Sequence, residues 1–387
     1  PERHYCSLAP IIGIRESRFA LGEVVLTFDD FLEGRTFPDT VCSAFAHHDN
    51  HAVDYAEESE WSRRHVVMFG LWRFLWQGNV PYRSLLPTGI EGVLMACRAL
   101  AVDHDLHQLL RMQRDMQVIG EVCGVAAAEA SKRGIPPSQL QIQDLRPLLE
   151  NRGVQPNPPQ TCMDRQPADL LPLLATDGDE RGLAMWRLSR LGSAVDWNTF
   201  FEREHDASAR FCGAVAATMG GSRLAPAIAV LQETLRERIA EPVLGVKSAP
   251  PYVVAALALA EAGVEGTAEL IGELLHEDLA TPDVLILLMG LGKAGKSAGI
   301  GVLREFLRRT EGVDFVAPLW GVDAAHPTSF RDMVVIRAVR SLGELGSRDQ
   351  AHRLLPYVKH PSLLLRRHAR HVLSETNPRG HTLAANR

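Results

Sequence analysis

Long apolar runs are missing from this 387-residue sequence. None approaches the roughly 20 residues that a membrane-spanning helix needs, so we expect no membrane partner. Cysteine is scarce as well, and the six cysteines stand apart without a single C-x-x-C pair. That spacing is typical neither of a zinc motif nor of a small disulfide framework, so the sequence predicts free thiols and no metal site.

A strong excess of either charge is also absent. The formal net charge is −6 with histidine counted as neutral, which argues against nucleic acid as a partner. Hydrophobic residues make up 46% of the chain and charged residues 23%, the balance of an ordinary globular protein. This composition excludes a disordered, collagen-like or coiled-coil chain, and it assigns no cellular compartment.

A proline-rich stretch at residues 151–167 divides the chain. It reads NRGVQPNPPQTCMDRQP, and proline both fixes φ and removes a backbone donor, so neither helix nor sheet continues through it. We therefore predict a first domain at 1–150, a linker at 151–167, a second domain at 168–376 and a tail at 377–387.

Five helix-end motifs recur after the linker, each closing on a glycine. The glycines are spaced by 28, 43, 32 and 51 residues, which on average is the size of one helix–turn–helix unit. A glycine at this place is typical of a helix that ends in the left-handed conformation. The pattern resembles HEAT-type repeats and predicts an all-α solenoid of stacked helix pairs. The five positions are Gly192, Gly220, Gly263, Gly295 and Gly346.

Residues 290–297 read GLGKAGKS and satisfy the phosphate-binding pattern G-x-x-x-x-G-K-[ST]. A nucleotide site would place Lys296 on the phosphates and Ser297 on Mg²⁺. The equivalent turns at Gly263 and Gly346 lack Lys-Ser but have the same flanking segments. A phosphate-binding loop also needs a parallel sheet, which this half of the chain does not offer. We interpret the motif as a turn between helices and expect no nucleotide there.

The first half mixes short β-type runs with helical segments. Residues 23–27 and 93–96 predict strands, the second of them apolar on both faces and paired with strands from outside this sequence. Residues 109–132 predict a long helix. Its start remains open, because Asp105 is a possible capping residue and a start nearer Arg111 is equally compatible with the sequence.

Two glycines lie four residues apart in this predicted helix, Gly120 and Gly124. Small residues at that spacing let a helix pack closely against a sheet or another backbone. The alternative is functional: the amino terminus of the helix, with its unpaired N–H groups and positive dipole end, faces an anion or a carbonyl of a ligand.

The order of motifs in this region resembles that of a known family. The segment is similar to the last strand–loop–helix of FAD-dependent oxidoreductases of the glutathione-reductase superfamily. The resemblance spans about 11–150 and needs no gap between the motifs. They are Ala96-Cys97-Arg98, Ala101-Val102-Asp103-His104, Arg111-Met112-Gln113-Arg114 and Gly120-Glu121-Val122-Cys123-Gly124, preceded by shorter matches at 15–18, 26–30, 32–35, 37–39 and 80–87.

The resemblance implies an α/β flavoprotein fragment with FAD as its cofactor and a small organic molecule as its substrate. The residues that would approach the cofactor are Ala96, Cys97, Arg98, Arg111, Met112 and Gln113. Those on the substrate side would be His104, Arg15 and Tyr82. Histidine has the pKa of a proton acceptor, although a structural histidine in a loop is an equally good interpretation of His104.

The sequence departs from the family at Gln108-Leu109, where the family has Gly-Ser, at Arg114, where it has a proline, and in two further places. Cys97 stands where the family has a glycine, and no G-x-G-x-x-G occurs before residue 150 to hold the ADP half of FAD. We therefore expect an absent amino-terminal segment or a partner chain to supply that part. Two functions remain open: a subunit or fragment of an FAD-dependent oxidoreductase that passes a hydride from substrate to flavin, with a helical interaction domain, and a non-catalytic scaffold with a degenerate flavin domain.

Overall fold

The computed structural model describes residues 19–47, 60–71, 74–158, 163–241, 243–244, 249–311 and 327–376. The chain divides into two compact units. The first consists of Pro1–Asp49 and Leu75–Met163, and the second of Asn50–Phe74 and Asp164–Arg387.

Helices dominate both units in the described ranges. The two strands are β1 (Thr40–His47) and β2 (Leu75–Pro81). The α-helices are α1 (Phe28–Leu32), α2 (Glu60–Phe69), α3 (His104–Leu110), α4 (Gln113–Arg133), α5 (Ile142–Glu150), α6 (Pro167–Leu170), α7 (Glu180–Leu191), α8 (Trp197–Arg203), α9 (Ala207–Met219), α10 (Ala225–Arg236), α11 (Pro251–Glu261), α12 (Thr267–Leu274), α13 (Thr281–Leu291), α14 (Lys296–Arg309), α15 (Pro327–Glu344) and α16 (Leu363–Thr376). Short 3₁₀ helices span Tyr82–Leu85, Pro137–Gln139, Leu171–Ala175, Gly192–Ala194 and Ala351–Lys359.

The first unit is built on an antiparallel pair of strands. β1 and β2 pair from Thr40 opposite Pro81 to His47 opposite Leu75. Helices α3, α4 and α5 pack against β1, and α1 packs against β2. From Cys42 to His47, buried residues of β1 alternate with more exposed ones, as expected of a strand with one covered face.

The packing of α1 on β2 depends on a glycine. Phe28 and Trp76 meet edge to face with their ring centroids 5.3 Å apart, and both side chains are fully buried. Beside them the Phe31 ring lies directly against Gly78, where a Cβ atom would collide with it. Gly78 thus makes room in β2 for the aromatic core of the first unit.

The two strands predicted in this unit are not formed. Residues 93–96 are irregular, with Val93 47% exposed, and two turn glycines of positive φ precede them, Gly89 and Gly92. At residues 23–27 only an isolated bridge forms, because Thr27 caps α1 and the chain turns into that helix. In its described part the first unit is mostly helical with one small antiparallel sheet, and its assignment to an α/β flavoprotein fold remains a prediction.

The predicted long helix forms, but as two helices. Asp103 caps α3, since its side chain accepts a hydrogen bond from the Leu106 N–H at 2.7 Å. The chain breaks at Arg111 and restarts at Gln113 as the 21-residue α4. The capping role considered for Asp105 therefore belongs to Asp103.

The second unit contains only helices and turns in its described residues. Along it α11 packs against α9 and α13, α13 packs against α15, and α12 packs against α14. Every residue of α11 from Pro251 to Ala260 is buried, as is the α13 segment 284–291, which is typical of central helices that are covered all round. The helical character predicted for this half is confirmed, and its arrangement as HEAT repeats remains a prediction.

Two of the five predicted helix-end glycines end a helix as predicted, whereas Gly192 combines φ 53° with ψ −115° and Gly295 precedes α14 as its N-cap. Gly263 and Gly346 have φ of 66° and 84°, and each is followed by an N–H that bonds back five residues, from Val264 to Leu259 and from Ser347 to Leu342. These are Schellman ends, which need a residue that tolerates positive φ. At the second motif the left-handed residue is Gly221 (φ 83°) rather than Gly220.

The phosphate-loop match is a turn between helices, as interpreted from the sequence. The apolar run before it lies in α13, which continues through Gly290 to Leu291. Lys296 is the first residue of α14, and Gly295 precedes it as the N-cap. Because Gly290 is helical and buried, its backbone does not form the strand-to-loop cradle of a phosphate site.

Within the ranges described above, no helix has the length and apolar character to cross a bilayer. The same residues hold no group of three or more His, Cys, Asp or Glu side chains arranged for a metal ion.

Candidate functional site

The amino terminus of α4, like that of α5, is a helix start without a side-chain cap in the first unit. Met112 is the N-cap, and no side chain caps the first turn. A methionine offers no oxygen to the first N–H groups, so these donors are directed at whatever acceptor lies beyond the helix end. The positive end of the helix dipole adds to their attraction for an anion or a carbonyl. The predicted cofactor residues Met112 and Gln113 both lie at this point.

The first turn of α4 is fixed to β1. The guanidinium carbon of Arg114 lies 3.3 Å from the centre of the Phe45 ring, and its Nε atom lies 3.3 Å from Asp115 Oδ1. Asp115 is 2% exposed. Burial raises its pKa, and the neighbouring charge of Arg114 works in the opposite direction. These contacts hold the helix start in one position, which a ligand-facing terminus requires.

The other predicted cofactor residues, Ala96, Cys97 and Arg98, occupy an exposed loop. The Ala99 N–H points to Cys97 Sγ at 3.5 Å, and the Leu100 N–H donates to the Cys97 carbonyl at 3.1 Å. This tight turn leaves all three side chains accessible to solvent or to a ligand. Arg111 lies at the end of α3 and is half-buried.

Three cysteines of the first unit lie within the described residues: Cys42 on β1, Cys97 in the exposed loop and Cys123 on α4. Burial raises the pKa of both Cys42 and Cys123 to about 12. The two buried thiols are therefore protonated and unreactive at neutral pH, whereas Cys97 is exposed.

The residues predicted for the substrate side lie in different environments. The Tyr82 hydroxyl donates a hydrogen bond to the Pro137 carbonyl at 2.9 Å, and burial raises its pKa above the usual range. That hydroxyl ties β2 to the connection between α4 and α5. His104 is the first residue of α3 and is half-buried. Arg15 lies outside the described residues.

Asp103, next to His104, is a candidate that the sequence analysis did not single out. Burial raises its pKa from 3.8 to about 6, against the effect of hydrogen bonds from Leu106 N–H and, at 3.3 Å, from Phe28 N–H. A carboxyl that titrates near neutral pH is suited to proton transfer, although its N-cap role alone explains its position. The sequence signal was the Asp-His pair immediately before an apolar helix.

These features fit the flavin end of FAD and not its ADP end. The uncapped helix terminus and the exposed arginine suit carbonyl and phosphate oxygens. In the described part of the first unit, however, the sheet consists of two antiparallel strands, without the strand–glycine turn–helix that cradles a pyrophosphate.

Comparison with known proteins supports a flavin assignment for residues 1–149. Residues 1–149 match the family model of the FAD dependent oxidoreductases. FAD is the cofactor that this family implies, and the match indicates a flavin-linked redox function for those residues. The resemblance expected over about 11–150 is confirmed at the level of that family. No curated protein and no solved structure gives a match to the chain.

Proposed function

We propose that residues 1–150 form the flavin-facing part of an FAD-dependent oxidoreductase of the glutathione-reductase type, acting on a small organic substrate. The observation that carries this proposal is the uncapped start of α4 at Met112 and Gln113, within the region that matches the family. When bound, FAD supplies the two-electron acceptor that takes a hydride from the substrate.

The chain's own residues would position the cofactor. The N–H groups of the first turn of α4, at Gln113 and Arg114, would donate to the electron-rich edge of the flavin ring. Arg98, exposed in its loop, would neutralise phosphate charge. Ala96, Cys97 and Arg111 would line the approach between them.

The substrate side would use a proton acceptor. Histidine is a common proton acceptor near neutral pH, which suits His104 to that role, and burial raises the pKa of Asp103 beside it to about 6. One of the two would take the proton that the substrate loses as its hydride departs. Tyr82 would contribute through position, because its hydroxyl is engaged by Pro137.

The ADP half of FAD would be held by another polypeptide segment or a partner chain. Two observations support this part of the proposal. No G-x-G-x-x-G occurs before residue 150. In addition, a Cβ atom placed at Gly120 or Gly124 of α4 would meet nothing within 4 Å among the described residues. The close neighbour predicted for these glycines is thus not found in the described structure, and we propose that whatever holds the ADP half of FAD also covers them.

The test is the FAD content of the native assembly. The tagged chain is purified from its own cells with whatever copurifies, and the flavin released on denaturation is measured per chain. Arg98→Ala should lower the FAD content severalfold. The matched control is Arg152→Ala, which removes another exposed arginine, one that pairs with Glu121. A native assembly without flavin, or equal FAD content in both variants, would overturn the proposal.

A scaffold with a degenerate flavin domain is the second candidate. It is favoured by the antiparallel pair of strands in place of a parallel sheet and by Cys97 in the family's glycine position. On this account the helical second unit binds a protein partner and the first unit carries no cofactor. A colourless native assembly that retains a stoichiometric protein partner would support it.

A further inference from the structure

A cavity of about 390 Å³ opens between α12 and α14 of the second unit. A glycine lies on each helix of the pair, Gly272 on α12 and Gly301 on α14. At Gly272 a Cβ atom would come within 3.2 Å of the Val302 methyl groups, so the helices approach closely there. At Gly301 a Cβ atom would meet nothing within 4 Å, so the groove is open at that end.

The floor of the groove is apolar and its rim is charged. Val302, Phe306 and Leu275 contribute apolar surface beside the glycines. Glu269 and Glu273 stand on the α12 side, exposed and one helical turn apart. An apolar floor beside carboxylates matches a side chain with a long hydrocarbon stem and a cationic head.

The charges around the groove remain unbalanced after the local ion pairs are formed. On α14 the Glu305 carboxylate already pairs with Arg308 at 2.6 Å, and this hydrogen bond lowers its pKa. Arg304 pairs with Asp349. Arg309 and His276 also line the groove. Across the described ranges, neither Glu269 nor Glu273 is in an ion pair, and Arg309 is the one arginine in the lining, so the α12 rim keeps an excess of negative charge.

We propose that this groove binds a lysine- or arginine-bearing segment of a partner protein. The hydrocarbon stem of the basic residue lies over Gly301 and Val302, and its charged head lies between Glu269 and Glu273. Apolar neighbours in the segment cover Phe306. The proposal goes beyond the flavin function and does not depend on it, because all of these residues belong to the second unit.

The binding experiment uses fluorescence anisotropy with the full chain. The probe is a short fluorescein-labelled peptide of alternating leucine and arginine, and its counterpart contains glutamate in place of arginine. We expect the arginine peptide to bind, with an affinity that falls as salt is raised, and the glutamate peptide not to bind. Equal binding of both peptides, or no binding of the arginine peptide, would overturn the proposal.

Two variants test the shape of the groove and the charge of its rim separately. Gly301→Leu fills the groove from an open helical position and should abolish binding. The double variant Glu269→Gln/Glu273→Gln should weaken binding by roughly threefold to tenfold, since each exposed charge pair contributes modestly. Its matched control is Glu233→Gln/Glu237→Gln, the same change at the same spacing at the end of α10. Equal affinities in the two double variants would contradict the assignment, even if Gly301→Leu failed to fold.

Self-association is the other occupant that the experiment distinguishes. If sedimentation showed a dimer of the native chain that Gly301→Leu dissociates and the arginine peptide does not displace, the groove would bind a second copy and the partner assignment would be wrong. A monomer that binds the arginine peptide in one-to-one ratio supports the proposal.

Discussion

At the scale of single residues, burial separates the reactive groups of the first unit from the inert ones. Cys42 and Cys123 have thiol pKa values near 12 because they are desolvated, whereas Cys97 is exposed. Asp103 is buried enough to titrate near pH 6. None of these differences is visible in the sequence, because each depends on neighbours that only the fold supplies.

Replacing Asp103 with asparagine tests its titration. The ordinary pKa of an aspartate carboxyl is 3.8, and that of Asp103 in the folded protein is about 6. The folded protein therefore binds this proton more tightly than the unfolded chain does, and the free energy of unfolding falls as pH rises between those two values. Asparagine also caps helices well but carries no charge. We expect Asp103→Asn to raise the melting temperature above pH 6, with the gain disappearing towards pH 3.8.

The matched control is Asp196, the exposed N-cap of α8. Its hydrogen bond from Thr199 lowers the pKa of the carboxyl, so the charged form favours folding and Asp196→Asn should lose stability at neutral pH. The two variants should therefore shift melting temperature in opposite directions. A gain for Asp103→Asn that is the same at every pH would contradict the burial argument.

At the scale of elements, the helices of the second unit could be predicted and the strands of the first could not. Apolar periodicity and terminal glycines such as Gly263 and Gly346 predict these helices. In contrast β2 contains Gly78 and Pro81, which are weak strand residues, and it pairs with a strand that ends 28 positions earlier. The apolar run at 93–96 is too short to decide its own conformation.

Gly78 and Gly124 provide a matched pair of element-scale tests. Gly78→Ala places a methyl group into the Phe31 ring and should destabilise the protein by about 1–3 kcal/mol. Gly124→Ala adds a methyl group to an open face of α4 and should stabilise it by about 0.5–1 kcal/mol. Urea unfolding measures both. Similar effects in the two variants would show that the α1–β2 packing is wrong.

The turn between α13 and α14 gives a further prediction. Lys296→Ala should leave ATP binding unchanged at background level, with or without Mg²⁺, because Gly290 is helical and forms no phosphate cradle. Equilibrium dialysis with radiolabelled ATP measures it. Tight Mg²⁺-dependent binding that the variant abolishes would require a phosphate-binding loop here.

At the scale of the whole molecule, the first unit presents a small-residue helix face that the described residues do not cover. The sequence identified Gly120 and Gly124 as packing residues, and a Cβ atom at either position would meet nothing within 4 Å. The candidate site could be predicted from the sequence only in part. The position of α4 in the chain follows from local sequence, but the groups that surround its glycine face could not be predicted, because local sequence does not specify them.

Gly124→Leu tests whether that face is an assembly surface. The leucine has open space in the described structure, so the variant should melt at or slightly above the temperature of the unmodified chain. It should nevertheless lose copurifying protein and FAD, because the face can no longer approach a neighbour closely. Lys132→Leu, at the far end of the same helix, is the control and should retain both. If neither variant lost FAD, the face would have no role in assembly.

The most direct test of the central claim, that the exposed loop and the start of α4 hold the flavin, is protection of Cys97. The native assembly is alkylated before and after removal of FAD, and each cysteine is followed by mass spectrometry. The account predicts slow labelling of Cys97 with FAD bound and fast labelling without it, while the buried Cys42, Cys123 and Cys212 stay unlabelled in both. Labelling of Cys97 at one rate in both states, or a native assembly that holds no FAD to remove, would contradict it.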